Sequence, residues 1–186
     1  MSDSKNQKRV LALDVRPRSF GYVLFEGPER LLDWGARSFR KGVNAVRIPL
    51  GQKIEALLDE CDPTVVVAKE AQRRKKINSG KRRKMLDVIV RKAKHGRIPV
   101  RVLGRSAVRA AFTGNGLQTK HQVASALVER FAELAPILPP KRKPWQSEDY
   151  RTSIFDAAAL GAAYFARCAK RVSDTSPENP ALSKPT

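Results

Sequence analysis

The sequence predicts an α/β fold built on a mixed β-sheet. The first observation is a continuous apolar run, Val10–Val15, long enough for one buried strand and charged only at Asp14. A strand that is apolar on both faces is typical of the centre of a sheet covered on both sides. The second observation is a similar run, 64–68, which follows a segment with helical spacing. A strand reached through a helix lies most simply parallel to its neighbour.

The first half of the chain predicts three strands and a helix before that second run. Residues 21–25 and 31–37 are strand-like, and short turns at 16–19 and 27–28 join them to the first strand. Short turns between strands predict an antiparallel meander. Apolar residues at helical spacing then predict a helix over 45–60.

The second half predicts one more strand and several helices. An amphipathic helix is expected from residue 85 to about His95. A short strand over 98–103 and a helical turn over 106–112 follow it. Thr119–Gln122 fits a capping box and opens a further helix, whose predicted apolar face is Val123, Leu127, Phe131 and Leu134. The last helix is predicted from Tyr150 to about Arg171, and its small residues allow a close approach to the sheet.

The chain is predicted to hold a single domain over residues 9–172. Residues 1–8 are expected to be a flexible N-terminus and 173–186 a disordered tail, because both are polar and the tail is rich in proline and serine. No stretch approaches the length of a transmembrane helix and no signal-peptide pattern opens the sequence. The two isolated cysteines suit a reducing cytosol, so a cytoplasmic, nucleoid-associated location is expected.

The charge of the chain predicts a polyanionic partner. Lys and Arg number 37 against 18 Asp and Glu, a net charge of +19 in 186 residues. This excess is larger than solubility requires and favours nucleic acid, with DNA and RNA both open, over a membrane surface. Residues 73–84 hold eight of these basic side chains around a loop-like segment at 78–80. They are interpreted as a phosphate-binding arm or, alternatively, as a solvated charged loop.

Three carboxylates are candidates for a metal site. Asp14 ends the first strand, Glu70 follows the second buried run, and Asp156 lies in an apolar stretch of the last helix. A buried carboxylate must be compensated by hydrogen bonds or by a cation. Three that converge would favour Mg²⁺ or Mn²⁺, and two such ions about 4 Å apart support phosphodiester hydrolysis. Alternatively, Asp14 is a turn residue, Glu70 is a surface charge and Asp156 is a solvated position on the helix.

Four segments of the chain carry a family resemblance: Asp14-x-x-x-Arg18-x-x-Gly21-Tyr22, Val65 to Glu70, Gly114-x-Gly116-x-x-x-Lys120-x-Gln122-Val123, and Asp156-Ala-Ala-Ala-Leu160. In this order they resemble the motifs of the RuvC-like Holliday-junction resolvases, over roughly residues 9–171. Each motif alone is weak, and four in register are fairly specific.

The resemblance implies an RNase H-like fold with sheet order 3-2-1-4-5, acting as a homodimer on branched DNA in recombination and repair. It implies that Asp14, Glu70 and Asp156 are catalytic metal ligands, for two Mg²⁺ or Mn²⁺ ions. It also implies that Lys120 is catalytic and lies beside the scissile phosphate.

The chain departs from the family pattern at one ligand position. The family usually places an Asp or a His one helical turn before its last catalytic Asp, and Ser153 stands there in this chain. Asp149 is a possible substitute ligand, although an Asp at that point more often favours the helix N-terminus through the dipole. Without a substitute, one metal site is weakened and activity is expected to fall.

The predicted DNA contacts lie in loops and at helix starts. They are Arg18, Arg73, Arg74, Lys75, Lys76, Lys81, Arg82, Arg83, Arg109, Gly114, Gly116, Lys120, Lys141, Arg142, Lys143 and Trp145. Trp145 is expected either to stack on an unpaired base or to pack against the rim of the core. Two functions stay open: a divalent-metal-dependent, structure-selective DNA endonuclease, and a non-catalytic nucleic-acid-binding protein that retains the fold, which Ser153 favours.

Overall fold

The computed structural model describes residues 8–17, 19–38, 49–71, 79–114, 116, 119–141, 143, 145 and 149–175. Several predicted features lie outside these residues. They are the N-terminal residues 1–7, the basic residues Arg18, Arg73, Arg74, Lys75, Lys76 and Arg142, the segment 45–48, and the end of the chain from 176.

The described residues form one five-stranded mixed sheet of order β3-β2-β1-β4-β5. Its strands are β1 (Arg9–Arg16), β2 (Ser19–Glu26), β3 (Arg30–Ser38), β4 (Val65–Lys69) and β5 (Val100–Leu103). β1 pairs antiparallel with β2 and parallel with β4, while β3 is antiparallel to β2 and β5 is parallel to β4. The predicted fold class, meander and strand order are confirmed.

Five α-helices and a 3₁₀ segment accompany the sheet in the described part of the chain. They are α1 (Leu50–Cys61), α2 (Ser79–His95), α3 (Arg105–Thr113), α4 (Lys120–Arg130), the 3₁₀ segment Ala132–Ile137 and α5 (Thr152–Thr175). Although α5 has 24 residues, no described helix is both long and apolar enough to cross a membrane.

The helix boundaries correct three expectations and confirm one. Ser79 and Gly80 begin α2 rather than belonging to a loop. α4 ends at Arg130, and Phe131 joins the core from its C-cap and not from the helix face. α5 continues to Thr175, beyond the predicted end near Arg171. The capping box at Thr119 is confirmed, with reciprocal bonds between Thr119 and Gln122.

The alternation of β1 divides the core into two layers. Val10 and Ala12 pack on the face covered by α5 and α4, whereas Leu11 and Leu13 pack on the face covered by α1 and α2. Successive side chains of a strand point to opposite faces. Asp14 therefore continues the row of Val10 and Ala12, on the α5 side.

Two glycines allow α5 to approach the sheet closely. A Cβ at Gly21 on β2 would collide with the backbone of Ser153, and a Cβ at Gly161 would collide with the ring of Phe25. Gly21 is also the residue of β2 that pairs with Asp14. The missing side chain at Gly21 therefore sets the first turn of α5 directly beside Asp14.

Replacement of Gly21 by Ala should destabilise the fold, because the added methyl meets backbone that cannot rotate away. We expect a loss of roughly 1–3 kcal/mol in the free energy of unfolding, measured by urea denaturation. The matched control is Gly80→Ala on α2, where a Cβ meets nothing within 4 Å. In a helix that change should gain up to about 1 kcal/mol. Equal stabilities of the two variants would contradict the close approach.

Candidate functional site

The candidate site lies at the edge of the sheet where the parallel strands β1 and β4 have their carboxyl ends. Ligand sites of open α/β sheets lie at this edge. Asp14, near the end of β1, is only 3% exposed, although it is charged. Asp156, one turn into α5, is largely buried, with 16% of its side chain exposed. The edge thus holds two carboxylates that need compensation.

The strand register selects Lys69 as the neighbour of Asp14. β1 and β4 pair in parallel from Val10 with Val65 to Leu13 with Ala68, so the next step sets Asp14 beside Lys69. Paired residues of parallel strands point to the same face. Lys69 therefore projects to the α5 side, and its ammonium lies 3.3 Å from Asp14 Oδ1.

Three cationic side chains bind the two carboxylates. Arg16 donates from Nε to Asp14 Oδ2 at 2.9 Å and from Nη2 to Asp156 Oδ2 at 3.0 Å. Lys69 Nζ also lies 3.7 Å from Asp156 Oδ2, and Lys120 Nζ donates to the same oxygen at 2.9 Å. Asp14 and Asp156 thus share Arg16 and Lys69, and the network joins β1, β4, α4 and α5.

The network also holds Asp156 in its charged form. Burial, the largest single influence, would raise the pKa of Asp156, but the charges of Lys69 and Lys120, the Lys120 hydrogen bond and Arg16 outweigh it. The pKa of Asp156 is therefore lowered from its ordinary value. A cluster of cations that favours the ionised carboxylate is the physical cause.

Glu70 does not join the two aspartates. It follows Lys69 and therefore alternates to the opposite face, where it is exposed. Its backbone N–H donates to Leu103 O, and its carboxylate lies over Gly104, where an added Cβ would be 2.8 Å from Oε2. Gly104 caps α3, and a carboxylate is favoured beside a helix N-terminus. The described contacts therefore join Asp14 with Asp156, and a role of Glu70 as a metal ligand stays a prediction.

Ser153 and Asp149 are occupied by local bonds at the start of α5. Ser153 is buried, and its hydroxyl donates to the carbonyl of Tyr150 at 2.7 Å. Asp149 accepts from the backbone and the guanidinium of Arg151, and the guanidinium bonds lower the pKa of Asp149. Asp149 is thus held by Arg151 just before α5, and its role as a substitute metal ligand stays a prediction.

The side chains present do not fit the predicted two-ion site. Within the described ranges, no group of three or more His, Cys, Asp and Glu side chains could hold a metal ion. Asp14 and Asp156 are the two predicted ligands that converge, and their oxygens already contact Arg16, Lys69 and Lys120. Mg²⁺ requires a near-octahedral set of oxygens, and fixed cations beside the pair oppose it.

Predicted DNA contacts that the structure describes lie on exposed surface. They are Lys81, Arg82 and Arg83 in the first turns of α2, Arg109 on α3, Gly114 and Gly116 before α4, Lys120, Lys141, Lys143 and Trp145. Trp145 is 78% exposed, so it does not pack against the core rim. Gly116 has a φ of +72°, a conformation that glycine adopts without strain. Contact of these residues with DNA stays a prediction.

Arg16 and Lys69 are site residues that sequence reasoning missed. Arg16 follows Asp14 by two positions in one strand, so strand alternation places both side chains on the same face. Lys69 directly precedes Glu70, and a carboxylate is the more obvious candidate for a metal ligand. Strand alternation alone indicates that Arg16 shares a face with Asp14. Placing Lys69 beside Asp14 also requires the register between β1 and β4.

The lowered pKa of Asp156 predicts a pH-dependent stability. The ionised form stabilises the fold above the ordinary carboxyl pKa, and this contribution is lost as the pH falls through the lowered folded value. Asp156→Asn should cost about 1–3 kcal/mol at pH 7 and flatten the acid part of the stability curve, measured by urea denaturation between pH 2 and 7. The exposed Asp59→Asn is the control, and parallel curves for both variants would contradict the network.

The comparisons with known proteins concern the fold. No family model matches this chain, and no curated protein matches it by sequence. Among solved structures, it is similar to Thermus thermophilus RuvC in complex with a Holliday junction substrate, with 17% identity, a TM-score of 0.62 and coverage of 87% of this chain and 96% of that chain.

Two further solved structures are similar over most of their length. The yeast mitochondrial Holliday junction resolvase Ydc2 has 14% identity, a TM-score of 0.54 and coverage of 92% of this chain and 85% of its own. The Fowlpox virus resolvase with Holliday junction DNA has 15% identity, a TM-score of 0.53 and coverage of 85% and 99%. The chain therefore shares its fold with these solved Holliday junction resolvases.

Proposed function

We propose that this protein binds branched DNA at the carboxyl edge of its sheet. The observation that carries the proposal is the convergence of Arg16, Lys69 and Lys120 at that edge of a resolvase fold. Lys120 is 58% exposed and Lys69 32% exposed, so both ammonium groups are within reach of a phosphate. Lys and Arg contacts to phosphates supply most of the affinity of proteins for DNA.

The distribution of charge beyond the edge supports the same partner. α2 connects the carboxyl end of β4 to the amino end of β5, so its exposed Lys81, Arg82 and Arg83 lie toward the same edge. The exposed Lys141 and Lys143 precede α5, with the Lys143 ammonium 5.8 Å from the ring centroid of Trp145. An exposed aromatic side chain among basic residues suits stacking on an unpaired base.

The solved relatives of the fold favour a branched substrate over a linear one. The solved structures of Thermus thermophilus RuvC and the Fowlpox virus resolvase are both complexes with Holliday junction DNA.

We extend the proposal to a homodimer that acts in the cytoplasm, associated with the nucleoid. Half-buried Met85, Leu86 and Val90 on α2 are the proposed dimer contact, and light scattering of the purified protein tests the mass.

Binding of a synthetic four-way junction tests the proposal. We expect tighter binding of the junction than of linear DNA or RNA duplexes of the same length, measured by fluorescence anisotropy. Lys120→Gln should weaken junction binding and reduce the slope of log affinity against log salt by about 1, as for one lost phosphate contact. The exposed Lys94→Gln, in the last turn of α2, is the matched control. Equal affinity for all duplexes and junctions would contradict the proposal.

Metal-dependent cleavage of the junction is the second candidate function. The observation that favours it is the buried pair Asp14 and Asp156 beside Lys120, at the edge where the resemblance implies catalysis. Cleavage of a labelled junction with Mg²⁺ or Mn²⁺ should then be abolished by Asp14→Asn and retained by Asp59→Asn. Glu70→Gln, which removes a carboxylate that lies apart from the pair, should retain it as well. No cleavage by the wild type would defeat this candidate.

A further inference from the structure

We infer that the ammonium of Lys69 is a resident cation that takes the place of a divalent ion between Asp14 and Asp156, so that DNA bound at this edge is held without metal. Only the statement about DNA rests on the proposed DNA-binding function. It decides between the two candidate functions, because it opposes metal-dependent cleavage.

The position of the ammonium is that of a bridging cation. Lys69 Nζ lies 3.3 Å from an oxygen of Asp14 and 3.7 Å from an oxygen of Asp156. An ion that bridged the same two oxygens would lie against the ammonium, and two cations in contact repel each other. A divalent ion therefore has to displace Lys69 before it reaches both carboxylates.

Further donors reach both carboxylates, at Asp14 Oδ2 and again at Asp156 Oδ2. Asp14 Oδ2 accepts from Arg16, which also donates to Asp156, and Asp156 Oδ2 accepts from Lys120. Together with Lys69 on β4, Arg16 on β1 and Lys120 on α4 bring donors from three elements of the fold, so the carboxylates are compensated by the chain itself. A buried carboxylate that is already paired and hydrogen-bonded has little to gain from a metal ion.

The backbone fixes Lys69 in this place. The parallel register of β1 and β4 brings position 69 beside Asp14 and turns it toward α5. A carboxylate at position 69 would stand beside the pair, whereas Glu70 points to the other face and lies over Gly104. With lysine at position 69, the two carboxylates are neutralised by a cation. A carboxylate at the same position would instead complete a cluster of three.

The substitution Lys69→Glu tests this relation by gain of binding. It exchanges the resident cation for a third carboxylate, and we expect it to bind Mn²⁺ at least about tenfold more tightly than the wild type, measured by isothermal titration and by the electron paramagnetic resonance of free Mn²⁺. The control Lys94→Glu makes the same charge change at the end of α2, away from this edge. Wild-type binding as tight as that of Lys69→Glu would overturn the inference.

Thermal stability supplies a second readout that does not depend on DNA. A metal ion that binds only the native state raises the melting temperature, and the gain grows with the logarithm of one plus the ratio of the metal concentration to Kd. Mg²⁺ should therefore raise the melting temperature of Lys69→Glu and leave that of the wild type unchanged. Lys69→Met, which removes the cation without adding a ligand, should melt below the wild type and regain stability when Mg²⁺ is added. A wild type stabilised by Mg²⁺ as strongly as Lys69→Glu would contradict the resident cation.

Binding of the four-way junction in the presence of a chelator tests whether DNA is held without metal. At constant ionic strength, the wild type should bind the four-way junction equally well in EDTA and in Mg²⁺. Binding that requires Mg²⁺ would overturn the metal-independent mode while leaving branched-DNA recognition intact. No junction preference under either condition would instead overturn the proposed function, and the Mn²⁺ titration would still decide the role of Lys69.

Discussion

The charge of Asp14 is the constraint on which the rest of the site depends. It lies at the end of a central strand with 3% exposure, where an ionised carboxylate is costly without compensation. The chain compensates it with Arg16 from the same strand and Lys69 from the next one, at 2.9 and 3.3 Å. Because these cations also contact Asp156, the charge on β1 helps to fix the start of α5. The sheet edge is thus held by ion pairs in addition to apolar packing.

Gly21, which lies beside Asp14 on the neighbouring strand β2, makes this arrangement sterically possible. Gly21 pairs with Asp14 across β1 and β2, and its missing Cβ leaves room for the backbone of Ser153. A helix that lies this close to a strand carries its side chains at fixed heights above the sheet. Asp156 reaches Arg16 and Lys69 because the helix start is set by backbone contact, which varies little when side chains change.

The fold was predictable from the sequence, and the arrangement of the site was predictable in part. Apolar runs, short turns and the capping box at Thr119 identify the strands and the helix start, because each is a local pattern. The meeting of Asp14 with Asp156 also follows from topology. The separation of Glu70 from the pair could not be predicted, because a shift of one residue between parallel strands reverses the face of every side chain. Trp145 was left open between two environments, and only its exposure excludes the core rim.

The contact between Arg16 and Asp156 spans 140 residues of chain. During synthesis on the ribosome, β1 emerges well before α5, so the first strand is exposed without this partner until α5 follows. Until α5 is released, α4 lacks the carboxylate that Lys120 binds, and the α5-facing row of β1 lacks its cover. The edge that we propose as the DNA-binding surface is therefore completed only after α5 has emerged and packed against β1 and α4.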